Sequence, residues 1–121
     1  MKKVRLITTG GTIASRNDPK TGLAAPTLTG EELLEVIPQI SKVAQVEVEK
    51  FASVPGQNLT LEMLLSLAWH CNDLLSSGRT DGIVITQGTN TIEESSYFLD
   101  LVIDQPQPVI VTGAMRNTSL Q

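Results

Sequence analysis

Aromatic side chains are almost missing from this sequence. Phe, Tyr and Trp make up 3% of its 121 residues, so a core must be assembled from Leu, Ile, Val and Ala. Cysteine occurs once, as Cys71, which excludes an internal disulfide and fits a reducing compartment. Histidine also occurs once, as His70, and neither a zinc site nor a serine–histidine pair can be assembled around it. Basic residues are few and scattered beyond Lys2, Lys3 and Arg5, and the net charge of −4 speaks against a nucleic-acid surface, which usually leaves a basic stripe. No apolar run approaches the ~20 residues of a membrane span. No apolar stretch follows the basic start before Gly10-Gly11, so a signal peptide is not expected. These absences point to a cytoplasmic protein without nucleic-acid or membrane partners, metal or cofactor.

What is present is ordinary in bulk and unusual in pattern. A chain of this length is one domain's worth and buries roughly two-thirds of its unfolded surface. Residues 4–8 form a short apolar run ended by Gly10-Gly11, which predicts a buried strand and a turn. Residues 16–26 are polar, with Pro19, Gly22 and Pro26, and read as an exposed loop. Thr29-Gly30-Glu31-Glu32 has capping-box spacing and opens a helix through Val36 that Pro38 closes. The alternation Val46-Glu47-Val48-Glu49 predicts a strand with one wet face. Thr60 is placed to cap a longer helix with Leu61, Leu64, Leu65, Ala68 and Leu75 on its apolar face and Gly78 beyond its end. A strand over 82–86, a helix over 92–103 and a strand over 108–112 follow. Short apolar strands alternating with amphipathic helices imply an α/β fold, a parallel sheet with helices on both faces.

That fold class directs attention to the strand ends, because open α/β sheets bind ligands beyond the carboxyl ends of their strands. Three strands here end in related turns: Thr9-Gly10-Gly11-Thr12, Thr86-Gln87-Gly88-Thr89-Asn90 and Thr112-Gly113-Ala114-Met115-Arg116. Glycines admit a ligand close to the backbone and threonines supply small hydroxyls. The two Gly-Thr turns read as halves of one polar pocket. Neither the G-x-G-x-x-G nor the P-loop spacing of a phosphate cradle occurs. His70 reads as a structural helix residue, Cys71 as a small core residue, and Glu93 and Glu94 as acids favoured by a helix N-terminus. Threonine is left as the nucleophile type, and it requires activation.

The residues 7–14, Ile-Thr-Thr-Gly-Gly-Thr-Ile-Ala, resemble the first signature of the bacterial-type L-asparaginases and glutaminase-asparaginases. Residues 85–94, Ile-Thr-Gln-Gly-Thr-Asn-Thr-Ile-Glu-Glu, resemble their second, usually T-H-G-T-D-T-x-E-E. Residues 97–101 and 111–116 extend the likeness, which runs from Val4 to about Arg116. The resemblance implies a Rossmann-like N-terminal domain and hydrolysis of the side-chain amide of L-asparagine, or of L-glutamine, without a cofactor. It implies Thr12 as primary nucleophile and Thr89 as the threonine of a second catalytic group. Gly11, Gly56, Gln57, Gly88, Thr89 and Asn90 correspond to substrate-binding positions, with Gly56-Gln57 where the family has Ser-Gln. A small amino-acid substrate and a homo-oligomer, dimeric or tetrameric at full length, are implied as well.

Four departures accompany the likeness. Asn90 stands for an aspartate and Gln87 for a histidine; no tyrosine lies within residues 16–26, where many members carry a lid tyrosine; and the chain ends at Gln121, two to three times shorter than its relatives. Residues 1–121 are therefore expected to be a partial N-terminal domain without the downstream lysine or the C-terminal domain, and to turn over weakly or not at all. A non-catalytic amino-acid-binding module is the alternative. A third reading, the asparaginase-like subunit that liberates ammonia for tRNA-dependent amidation, is disfavoured by a start directly on the first strand.

Overall fold

The computed structural model describes residues 1–10, 16–17, 24–25, 35 and 38–114. The chain begins with β1, Lys3–Thr8, and a short antiparallel pairing of β2, Arg16–Asn17, with β3, Ala24–Ala25. A 3₁₀ turn at Pro38–Lys42 precedes β4, Gln45–Lys50. A second turn, Gly56–Asn58, leads into helix α1, Leu61–Ser76, and then β5, Gly82–Thr86. Helix α2, Ile92–Val102, and strand β6, Val109–Thr112, complete the order. The helix expected over 29–36 lies outside the described residues apart from Glu35.

Four strands form one parallel sheet in the order β4-β1-β5-β6. The register aligns Ile7 with Ile85 and Val111, and Thr8 with Thr86 and Thr112. Neighbouring residues in a sheet share a face and successive residues alternate. One face therefore presents Ile7, Ile83, Ile85, Val109 and Val111, and both described long helices pack on it. Leu67, Ala68, Cys71, Leu74 and Leu75 of α1 and Leu99 of α2 bury against these strands. Each fully buried aliphatic side chain contributes about 1.5–3 kcal/mol of transfer free energy.

Helix α1 is rotated from the face that its leucines suggest. Leu64, Ala68 and Leu75 are buried as expected, but Leu61 is 69% exposed and Leu65 is half-buried, while Leu67, Cys71 and Leu74 are buried. Leu61 sits in the first turn, so it can stay in solvent while the stripe from Leu64 to Leu75 keeps the 3–4 spacing of one helical face. The cap is as expected: the Thr60 hydroxyl accepts from the Met63 amide at 3.1 Å. Beyond the far end, Gly78 takes φ of +74°, the left-handed conformation that glycine tolerates.

Strand β4 carries its alternation to an edge of the sheet. Arg5 of β1 reaches Glu47 at 3.1 Å and Glu49 at 3.3 Å, and Glu49 meets His70 Nε2 of α1 at 2.5 Å. This line of polar groups ties β1, β4 and α1 together. The structural reading of His70 is thereby given a partner.

Candidate functional site

The sheet order creates a switch point. From β1 the chain returns to the sheet at β4 on one side, and from β5 it proceeds to β6 on the other. The chain therefore leaves β1 and β5, which are adjacent strands, toward opposite sides, and the carboxyl edge at such a point is where open α/β sheets place a ligand crevice. The described parts of the three expected strand-end loops converge at this edge.

Hydrogen bonds lock those loops to one another. The Thr9 amide and hydroxyl both donate to the Thr86 carbonyl, at 3.0 and 2.7 Å. The Thr9 carbonyl in turn accepts from the Val54 amide at 2.8 Å, and the Gln87 amide donates to the Thr112 carbonyl at 3.0 Å. Thr9 and Gln87 are buried, so these backbone groups would be costly to leave unmade. The loop after β4, residues 51–58, thus joins the crevice, a contribution that strand-end motifs in the sequence did not announce beyond Gly56-Gln57.

Glycine is required where the loops touch. A Cβ built on Gly56 would lie 2.8 Å from the Gly88 carbonyl oxygen, and one on Gly88 would lie 2.6 Å from the Gly56 amide nitrogen. Gly10 has φ of +108° and would bring a Cβ to 2.7 Å from the Val54 nitrogen. The Gly56–Gly88 approach brings two side-chain contacts with it. The Thr91 hydroxyl donates to the Gly56 carbonyl at 2.9 Å, and the Asn90 amide donates to Gln57 Oε1 at 2.8 Å.

The expected site residues divide accordingly. Gly56, Gln57, Gly88, Thr89 and Asn90 come together, Thr89 and Asn90 in the 3₁₀ turn Thr89–Thr91 that runs directly into α2. Thr12 and Gly11 lie outside the described residues. Gln87 is buried and its side-chain amide donates to the Gly88 carbonyl at 3.2 Å, so it braces the turn. Gly113, in the third strand-end turn but not among the expected substrate-binding positions, would bring a Cβ to 2.7 Å from the Gln87 carbonyl and 2.9 Å from the Thr89 methyl. The end of β6 therefore forms the wall behind Thr89. Thr86 stands in the second signature without an assigned catalytic or binding role, and its hydroxyl oxygen is buried without a hydrogen-bond partner.

Chemically, the described part of the crevice is neutral. Residues 9–10, 51–58, 87–91 and 113–114 contribute hydroxyls, amides and backbone groups and no charged side chain. Among the described residues no group of three or more His, Cys, Asp or Glu could hold a metal ion. Cys71, buried in the core below, has its thiol pushed up to about 12 by burial and by Glu49, and is no nucleophile at neutral pH.

Comparison with known proteins places this geometry in a family. The family model described as Asparaginase, N-terminal, matches residues 3–121. The chain is 44% identical over 115 residues to L-asparaginase of Bacillus licheniformis, covering 95% of this chain and 35% of that protein. It is 36% identical to "Probable L-asparaginase periplasmic" of Haemophilus influenzae, covering 96% and 33%. A subunit of the glutamyl-tRNA(Gln) amidotransferase of Methanosphaera stadtmanae is 33% identical, with 97% and 26% covered. A solved structure described as a probable cytoplasmic L-asparaginase from Campylobacter jejuni superposes with a TM-score of 0.90 at 35% identity, over 98% of this chain and 36% of that one. The chain thus spans about a third of the length of the relatives named asparaginase. With its α/β fold, two signature loops and their spacing, the chain belongs to the asparaginase family and corresponds to its N-terminal part.

Proposed function

We propose that this chain forms the threonine-bearing N-terminal part of an amidohydrolase that converts L-asparagine, and as a second substrate L-glutamine, to the acid and ammonia. The observation supporting this reading is the locking together of the loops after β1, β4, β5 and β6 at a sheet switch point, within a chain of this family. In the reaction, the Thr12 oxygen attacks the side-chain amide carbon while its proton passes to a base. The carbon–nitrogen bond then breaks, ammonia leaves with that proton, and water cleaves the resulting ester to restore the hydroxyl. Thr89 is the second hydroxyl of the site. Gly11, Gly56, Gln57, Gly88 and Asn90 are assigned to holding the substrate. The full-length protein is assigned a homo-oligomeric state, and the cytoplasm is the compartment assigned to it.

A binding module is the second reading, and Asn90 is what favours it. An amide at this position cannot take the charge of a carboxylate, so chemistry that depends on such a charge would be lost while binding is kept. An ammonia-release assay beside a titration with aspartate separates the two. Turnover of asparagine abolished by Thr12→Ala supports the enzyme. Binding of aspartate without turnover in the intact protein supports the module. For residues 1–121 alone we expect no hydrolysis, and robust turnover by that chain would overturn the expectation.

A further inference from the structure

Strand β4 is held to the fold differently from β1 and β5. None of its six residues is fully buried, and it contributes no side chain to the core cluster. Its register with β1 aligns Glu47 with Arg5 and Glu49 with Ile7. Both acids therefore lie on the sheet face that α1 covers, and Val46 and Val48 lie on the other. On the helix-covered face the ties of β4 are thus polar. Arg5, whose side chain is only 17% exposed, takes Glu47 and Glu49. His70 Nε2 of α1 meets Glu49 Oε2 at 2.5 Å. A carboxylate paired with a guanidinium only accepts, so Nε2 is the donor. The Glu49 charge also reaches Cys71, whose thiol it helps to raise, in keeping with a carboxylate turned toward the helix.

Past the end of β4 the chain enters the loop that reaches the crevice. The Phe51 and Ala52 amides donate to the Thr8 carbonyl, and the Val54 amide donates to that of Thr9. Such bonds between neighbouring strands run in the plane of the sheet, whereas strand side chains stand roughly perpendicular to it. The backbone bonds thus fix the loop sideways, and the Glu49–His70 contact fixes its height against α1. Height matters at Gly56, where the Gly88 carbonyl leaves no room even for a Cβ. We propose that His70 is a positioning residue for this site: by holding Glu49 against α1, it sets the end of β4 and the loop that brings Gly56 to Gly88. The proposal rests on the amino-acid-amide site proposed above, and His70 reaches the ligand only through Glu49 and that loop. Without the Nε2 donor, a half-buried carboxylate oxygen loses its partner. Glu49 then turns toward water, and the strand end moves with it.

The test compares His70→Leu, His70→Gln, Glu49→Gln and Gly78→Ala in the intact protein. Leucine keeps apolar contact without a donor, and glutamine keeps an N–H near the place of Nε2. Gly78→Ala strains the chain just beyond the far end of the same helix. Asparagine turnover gives KM and kcat, an aspartate titration gives Kd with or without turnover, and thermal unfolding gives stability. We expect His70→Leu and Glu49→Gln to raise KM and Kd by about fivefold to tenfold with kcat within about twofold, the pattern of lost binding rather than lost chemistry. His70→Gln is expected to bring both constants back to within about twofold of native, because the donor is restored. Gly78→Ala is expected to lower Tm and move neither constant. A native Kd in either His70→Leu or Glu49→Gln, or a Gly78→Ala loss as large as theirs, overturns the positioning role and leaves the site reading standing. So does a His70→Gln loss equal to that of His70→Leu, since the ring and not its donor would then be at work. Glu49→Gln leaves the helix unaltered and decides alone if His70→Leu fails to fold. A native protein that neither turns over asparagine nor binds aspartate overturns the site reading, and the positioning role with it.

Discussion

At the scale of single residues, two kinds of glycine do different work in this chain. Gly88 and Gly56 are held where each backbone occupies the space a partner's Cβ would need, at 2.6 and 2.8 Å. Backbone atoms cannot swing aside as a side-chain end can, so Gly88→Ala forces the two loops apart. We expect a loss of about 1–3 kcal/mol, the cost of overpacking, together with loss of ligand binding, because Asn90 and Gln57 are carried by the loops that separate. Gly78 has open space around it and only its φ of +74° to satisfy. Gly78→Ala should cost about 1–2 kcal/mol through left-handed strain and leave binding untouched. Thermal unfolding and a ligand titration on both variants check the contrast, and equal binding losses would refute it.

At the scale of elements, α1 carries a titratable group buried beneath the sheet. Burial, assisted by Glu49, raises the Cys71 thiol from its ordinary value near 9 to about 12. A raised pKa means the folded state holds the proton more tightly than the unfolded state does. The stability from this group is thus complete below about pH 9 and is lost as pH climbs toward 12. Denaturation profiles should fall across that window, and Cys71→Ala should fall less steeply over the same window, whatever its stability at neutral pH. Parallel slopes would show that the thiol does not drive the decline. The same helix shows how far periodicity alone carries. Its limits and its Thr60 cap follow from local chemistry, but Leu61 and Leu67 exchange places between exposed and buried because the docking angle is decided by Ile7, Ile83 and Ile85 beneath.

At the scale of the whole molecule, the two faces of the sheet are unequal among the described residues. Both described helices cover the face of Ile7, Ile85 and Val111. The opposite face carries Val4, Val46, Val48 and Val84 partly exposed, and Ile110 on the outermost described strand is 54% exposed. Apolar side chains on a sheet face and an edge whose only described neighbour is β5 favour association. The 121-residue chain should therefore sediment as more than a monomer, with Ile110→Lys shifting it toward the monomer. A native chain that stays monomeric as concentration rises would refute this.

Local order was legible in the sequence because it is set by neighbours in the chain. Strand limits at 82–86, the α1 cap and the polar turns beyond β1, β5 and β6 depend on residues a few positions apart, and the family signatures at 7–14 and 85–94 are contiguous. What only the tertiary structure decided are pairings across long separations. The Thr9–Thr86 lock spans 77 positions and the Asn90–Gln57 bond spans 33. The Arg5–Glu49–His70 line crosses two strands and a helix. No local preference encodes such contacts: they exist because the parallel sheet adopts the order β4-β1-β5-β6 and brings its strand ends to one edge. Residue types could thus name an amide at position 90 and an amide at 57. Only folding determined that one donates to the other.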